Sequence, residues 1–377
     1  MTGEAGRART PPRAARGVSS LAPYQPGKPV SELERELGIQ SIIKLASNEN
    51  PLGPGPAARA AIHAVVNDVG FYPDGSGHDL KQALSEYHGL NTNRITLGNG
   101  SNDILVLLAE AFLEAGDEAV YSQYCFAIYP IAVQAAGAFG RMAPALSADS
   151  GMPLGHDLDA LAAQVGTRTK LVFIANPNNP TGTWLESGPL RKFLKALPGT
   201  TLAVLDEAYF DYAIEHGVPD GSTWLDEFPN LVIVRTFSKV HGLAGIRVGY
   251  ALSSPEVADL LNRVRQPFNV SSVALAAAQA ALSDHEHVTR SVAVNREGLA
   301  LVREGLAQLR LSVPPSAANF VLAGLGRDAA PVFERLLRSG VIVRPVANYG
   351  LPQHLRISVG TPDQNRRLLA AMPVALG

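Results

Sequence analysis

Cysteine occurs once in these 377 residues, at Cys125. A lone thiol excludes an intrachain disulfide and any multi-cysteine metal centre. No metal is therefore expected, and a reducing compartment, the cytoplasm, fits. No apolar stretch is long enough to cross a bilayer. An excess of either charge is also missing. With 32 Lys and Arg against 34 Asp and Glu, the net charge of −2 gives no reason to expect nucleic acid or an anionic membrane as partner. What is present is 46% apolar residues, enough for a globular chain with a large core, and a length that suits two or three domains.

Residues 1–20 differ from the rest. Arg7, Arg9, Arg13 and Arg16 stand with a single acid, Glu4, and with Pro11-Pro12. An Arg-rich, acid-poor leader would look similar, but the prolines spoil an amphipathic helix, so a disordered tail is expected. The arm over 21–45 carries Ser31-Glu-Leu-Glu34, which reads as a capping box, and Ile42 to Ala46 reads as a strand. From Arg94 onwards, strand, turn and helix repeat. Short buried runs end at Leu97, Tyr121, Ala175, Leu205 and Val234, and polar clusters follow most of them. This pattern predicts an α/β fold: a large domain over 46–267, with a mostly parallel sheet sandwiched by helices. Open sheets of this kind place ligands just past the carboxyl ends of their strands. After about Pro267 come long helical segments, then strands near Asn319–Leu322, Val341–Val343 and Leu355–Val359. They imply a smaller α+β domain over 268–377. Its last helix starts at Thr361-Pro362, with Gln364 at N3.

Four clusters carry chemistry. Gly100-Ser-Asn102 opens a helix, where free N–H groups favour an anion; an ordinary capped helix would look the same. Asn176-Pro-Asn-Asn-Pro-Thr-Gly182 is a constrained loop whose Asn178 and Asn179 amides are expected to point outwards; turns use the same residues. Asp206 ends a buried strand and needs a partner, such as a pyridinium nitrogen or the cap of the next segment. Tyr209 follows it by three residues. The densest stretch is Arg235-Thr-Phe-Ser-Lys239, with Arg247 eight residues on. Thr236, Ser238 and the Arg247 guanidinium offer what a phosphate monoester needs. A desolvated Lys239 among cations would be a nucleophile towards an aldehyde. A phosphate site beside such a lysine points to pyridoxal 5′-phosphate (PLP), although a basic loop on a solvated surface is the plain alternative for that stretch alone.

Asn178-Asn-Pro-Thr-Gly182, Asp206-Glu-Ala-Tyr209 and Thr236-Phe-Ser-Lys239 with Arg247 resemble the motifs of the fold type I PLP-dependent aminotransferases. Within them, Ala22-Pro-Tyr-Gln-Pro26, Leu45-Ala-Ser-Asn-Glu-Asn-Pro51, Tyr72-Pro-Asp74, Val341-Ile-Val-Arg-Pro345 and Leu355-Arg-Ile-Ser-Val-Gly-Thr361 resemble the histidinol-phosphate aminotransferases. The resemblance runs from about residue 21 to the C-terminus. It implies a seven-stranded-type sheet and transamination between L-histidinol phosphate and 2-oxoglutarate, giving imidazole-acetol phosphate and glutamate. It also implies a residue for each task. Lys239 would bond the cofactor aldehyde and move the proton, Asp206 would hold the ring nitrogen, and Asn179 and Tyr209 would bind the ring hydroxyl. Ser101, Asn102, Thr236, Ser238 and Arg247 would hold the phosphate, and Tyr124 would stack on the ring. Tyr72 would reach the other subunit's cofactor, which implies a homodimer. Tyr24, Asn48, Arg344 and Arg356 would bind substrate, Arg356 taking a carboxylate. Ser122-Gln123 before Tyr124, and Gly100-Ser-Asn102 in place of an acidic helix start, depart from the family pattern. Rival activities on the same scaffold are an aromatic-amino-acid aminotransferase and a PLP-dependent decarboxylase.

Overall fold

The computed structural model describes residues 13–377. Strand β1 (Ile43–Lys44) belongs to a small pair taken up below. The large sheet holds β2 (Ile95–Gly98), β3 (Glu118–Ser122), β4 (Phe139–Ala143), β5 (Thr169–Ala175), β6 (Leu202–Asp206), β7 (Leu231–Thr236) and β8 (Gly249–Leu252). Their order is β2-β8-β7-β6-β5-β3-β4. All neighbours pair in parallel except β8, which runs antiparallel to β2 and β7. The expected α/β architecture with a seven-stranded, mostly parallel sheet is therefore the one observed.

The sheet is buried on both faces. Every residue of β6 and β7 is buried, and apolar clusters lie on either side, one around Ile174, Leu205 and Ile233, the other around Phe173, Val204 and Val232. Alternation along the strand sends successive side chains to opposite faces. Each such side chain contributes roughly 1.5–3 kcal/mol on burial, which makes these central strands a rigid platform.

Parallel pairing aligns the strand ends. Ala175 lies beside Asp206, and Asp206 beside Val234. Gly98 of β2 and Thr236 of β7 both face Gly249 of β8. So segments 98–102, 175–179, 206–209 and 236–239, far apart in sequence, emerge along one edge.

The rest of the chain builds a three-stranded antiparallel sheet, ordered β11-β12-β9, from β9 (Phe320–Gly324), β11 (Arg344–Val346) and β12 (Leu351–Ser358). β10 (Val341–Ile342) pairs in parallel with β1, which ties the N-terminal arm to the C-terminal third. The last helix, Pro362–Leu376, has Thr361 as N-cap with Gln364 completing the capping box.

Several local expectations need correction. The helix Val30–Leu37 starts one residue before Ser31 with Pro29 at the N-cap position and no side-chain cap bond, so Ser31–Glu34 forms no capping box. The strand expected from Ile42 to Ala46 shortens to Ile43–Lys44 because only β10 pairs with it. β4 was not expected, because Gly140 and Arg141 interrupt its apolar residues; it is an edge strand with four of its five residues exposed. β8 was concealed among the glycines that close the Arg235–Tyr250 stretch. A turn over 15–20 rests on Gln134, whose amide donates to the Gly17 carbonyl (3.1 Å), so order precedes Leu21. Residues 1–12 of the expected tail lie outside the described residues. Among the described residues, no helix is long and apolar enough to cross a membrane.

Candidate active site

A cleft opens where the strand ends meet the second sheet. Lys239, Asp206, Tyr209, Asn179, Thr236, Ser238, Arg247, Ser101 and Asn102 line it, together with Tyr24, Asn48, Arg344 and Arg356. Thirteen of the fifteen residues singled out from sequence thus border one cavity; Tyr72 and Tyr124 do not.

At one end is a cradle of donors. The helix Ser101–Phe112 begins there after Gly100, and no side chain caps it, so its first N–H groups stay available. Gly100 has φ +83°, and a Cβ there would fall 2.2 Å from Nη2 of Arg247. Only glycine lets the guanidinium lie over the helix start. Arg247 Nη1 donates to the Ser238 hydroxyl (3.4 Å), the Thr236 hydroxyl donates to it as well (3.0 Å), and the Ser238 N–H donates back to Thr236 (3.1 Å).

At the floor lies Asp206, 5% exposed. The Tyr129 hydroxyl donates to its Oδ2 (2.9 Å) and the Ala208 N–H to its Oδ1 (3.2 Å). Burial pushes its pKa up to about 6, against the pull of these donors and of Lys239. Lys239 Nζ sits 3.3 Å from the Ser47 carbonyl and 5.4 Å from the centre of the Tyr209 ring. Burial, aided by the charge of Arg356, brings its pKa down to about 8.

Two polar side chains have their bonding arranged so that a donor is left over. Asn179 uses its carbonyl oxygen to accept from Arg356 (2.6 Å), which leaves its NH₂ to donate. The Tyr209 oxygen accepts from Asn48 Nδ2 (2.9 Å), which leaves its own O–H to donate. Asn48 is held in turn by the Ser358 hydroxyl at its Oδ1 (2.9 Å), so its amide is committed to Tyr209. Asn178, by contrast, turns inward. It is 1% exposed and donates to the Tyr124 carbonyl (2.7 Å) and to Thr181 (2.8 Å). The expectation that both loop amides point outwards fails there, because the loop needs one of them to hold its own shape.

Arg344 and Arg356 face each other across β11 and β12. They are 7% and 6% exposed and, among the described residues, neither has a carboxylate partner. Arg344 donates to the Gln25 carbonyl (2.5 Å) and lies over the Tyr24 ring; Arg356 donates to the Ala46 carbonyl (2.8 Å), with its Nε unsatisfied. Two buried guanidinium groups bonded only to neutral acceptors make a site for anions.

The aromatic wall is Phe126, not Tyr124. Tyr124 packs instead with Leu322, Val346, Tyr349 and Leu351, because its loop carries it towards the second sheet. Tyr72 is 83% exposed and stacks on Phe268 (ring centres 4.8 Å apart), away from this cleft. Phe126, Tyr129 and Ser358 were missed from sequence. Two further aromatics within five residues of Tyr124 were the available signal for the first two; Ser358 had none beyond its place on a strand.

A family profile described as aminotransferase class I and II matches residues 40–372, and the chain belongs to that family. Within it the chain groups with the histidinol-phosphate aminotransferases. It is 52% identical to histidinol-phosphate aminotransferase 1 of Nitrosococcus oceani over 96% of both chains. It is 54% identical to histidinol-phosphate aminotransferase 2 of Methylococcus capsulatus, over 94% of this chain and 96% of that one. Among solved structures, the histidinol-phosphate aminotransferase of Sinorhizobium meliloti in complex with pyridoxal-5′-phosphate superposes with a TM-score of 0.87. It is 33% identical and covers 97% of each chain.

Proposed function

We propose that the chain transfers an amino group between L-histidinol phosphate and 2-oxoglutarate, with PLP as cofactor. The names of its relatives support this. The observation that carries the substrate assignment is the pair Arg344 and Arg356, two buried cations with no carboxylate partner among the described residues, lining the same cleft as Lys239. Both proposed amino donors, histidinol phosphate and glutamate, present an anionic end to such a pair.

The residues present fit PLP. The glycine-floored cradle of Ser101, Asn102, Thr236, Ser238 and Arg247 suits its phosphate, since Gly100 leaves the space a Cβ would fill. The spare donors on Asn179 and Tyr209 suit its ring hydroxyl. Asp206, a buried carboxylate with no cation bonded to it among the described residues, suits its ring nitrogen. Phe126 offers a face for stacking. When bound, PLP supplies an electron sink for the pair released at the substrate Cα.

The chain's own residues do the rest. Lys239, with its pKa near 8, has an accessible neutral amine that can take a proton from the substrate Cα and return one. The negative charge of Asp206 favours a protonated ring nitrogen. When glutamate is bound, Arg356 orients its α-carboxylate, and Arg344 with Tyr24 contacts the substrate's phosphate or distal carboxylate. Asn48 acts through Tyr209.

We read Tyr72 as part of a homodimer interface. Val69, Phe71, Tyr72 and Phe268 are 60%, 79%, 83% and 44% exposed and form an apolar patch that a second copy would cover. The division into a large unit over 46–267 and a smaller one over 268–377, and residence in the cytoplasm, belong to the same proposal.

The deciding experiment compares kcat/KM for histidinol phosphate and for phenylalanine, each with 2-oxoglutarate. A clear preference for histidinol phosphate is expected; preference for phenylalanine would replace this function with that of an aromatic aminotransferase. Turnover without 2-oxoglutarate would favour the decarboxylase. For the cofactor, the protein should absorb in the visible, and borohydride should fix the label on Lys239.

A further inference from the structure

Tyr129 stands behind Asp206, outside the cleft. Its side chain is fully buried, and its ring stacks on Phe173 with centres 4.8 Å apart and planes 11° apart. Phe173 belongs to β5, beside Val204 of β6. The stack therefore fixes the phenol relative to the strand that carries Asp206. The Tyr129 N–H donates to the Phe126 carbonyl (3.0 Å) at the start of the helix Ile128–Ala135, so one turn carries both the cleft's aromatic wall and this phenol. The hydroxyl donates to Oδ2 of Asp206.

We propose that Tyr129 is a positioning residue for the cofactor: its hydroxyl holds Asp206 in one orientation and stabilises its negative charge against the ring nitrogen. This rests on the assignment of PLP to the cleft. A rotating carboxylate would present a poorly aimed oxygen; one pinned by the Tyr129 and Ala208 donors presents a fixed one. Three groups face Asp206: Tyr129 from the helix, Tyr209 from the segment after β6 and Lys239 from the segment after β7. Burial, and then the charge of Asp206, keep the Tyr129 hydroxyl protonated well above its ordinary range, so it remains a donor. Burial alone raises Asp206, and Tyr129 opposes that rise. Without the hydroxyl, the carboxyl takes up its proton at a higher pH, and PLP loses its counter-charge there.

The test uses the full-length protein, stripped of cofactor and titrated with PLP by visible absorbance between pH 6 and 8. Tyr129→Phe is expected to weaken PLP binding by about tenfold or more, the loss of a hydrogen bond to a charged group. The ratio of variant to wild-type dissociation constants should grow as the pH falls. Tyr129→His, which keeps a ring donor, should recover part of the affinity and carries the test should the phenylalanine chain not fold. Melting of the stripped protein separates this role from a structural one. Unchanged PLP affinity, or a pH-independent loss that merely tracks a fall in melting temperature, would overturn the proposal. If the wild-type chain binds no PLP at all, the cofactor assignment itself fails; if it binds and the variant binds equally, only the role of Tyr129 does.

Discussion

Asp206 and Glu207 are neighbours at the end of β6, yet the two faces they serve are built on opposite terms. Glu207 is closed. Both Nε and Nη2 of Arg235 bond its Oε2 (2.9 and 2.6 Å), and the Gly221 N–H bonds its Oε1 (2.8 Å). Arg235 reaches Asp220 as well (2.6 Å) and lies over the Phe210 ring. Burial lifts the Glu207 carboxyl to about 7 and Arg235 pulls against it, while the charges of Glu207 and Asp220 outweigh the effect of burial on Arg235. With that geometry, the ion pair is the form we assign. Among the described residues, Asp206 has two neutral donors and no bonded cation. One face of the strand end is closed by its own ion pair and the other is left open to the cleft. A buried charge left open in this way marks a functional site better than a buried charge does by itself.

The difference can be broken or sharpened by experiment. Lys239→Ala should have the largest effect, lowering kcat by roughly 10²–10⁴-fold, with the borohydride-fixed label gone; retention of most turnover would remove Lys239 from the chemistry.

Next come the two carboxylates. Glu207→Gln leaves Arg235 short of a counter-charge and should destabilise the chain by roughly 3–5 kcal/mol in urea unfolding, with or without PLP. Asp206→Asn should do the reverse in the stripped protein. Its folded pKa of about 6 is raised above that of an unfolded Asp. The stability it contributes is present at low pH and is lost as the pH rises through about 6. At pH 8 the asparagine variant should therefore melt above wild type, while binding PLP more weakly. A matching loss of stability in both variants would erase the contrast.

A third prediction concerns the buried arginines of the cleft. Arg344→Ala should cost histidinol phosphate about tenfold more in kcat/KM than phenylalanine, since a charged hydrogen bond is lost only with the former. Equal losses would show that Arg344 does not bind the phosphate. Fourth, the rate of PLP uptake by the stripped protein should track the neutral amine of Lys239. It should rise roughly fivefold from pH 7 to 8 and level off near pH 9. A rate still climbing severalfold between pH 9 and pH 10 would mean that the lysine is not shifted. The smallest effect is expected at Tyr124→Phe, near-silent in PLP affinity, whereas Phe126→Ala should weaken it measurably.

Much of this was legible in the chain. Buried runs followed by polar clusters, at 175–179, 206–209 and 236–239, announced a parallel sheet with its ligand edge. Asn179, Asp206, Tyr209 and Lys239 were individually visible because each sits beside a strand end. That Phe126 and not Tyr124 lines the cleft was hidden for a reason of the same kind. Three aromatics crowd residues 124–129, and nothing local says which one a loop will turn to the cleft. Asn48 drew notice from its motif, but its bond to Tyr209 joins residues 161 apart in sequence.

The sequence by itself determined the strands, their polar ends and the lysine, because alternation and turn chemistry act over a few residues. Only the tertiary structure decided which side chains complete one another: Phe126 on the cavity wall, Tyr129 against Asp206, Ser358 through Asn48 to Tyr209, Arg235 on Glu207. Those choices depend on packing between separate elements, where a hydrogen bond forms only if two distant backbones come within about 3 Å of the right geometry.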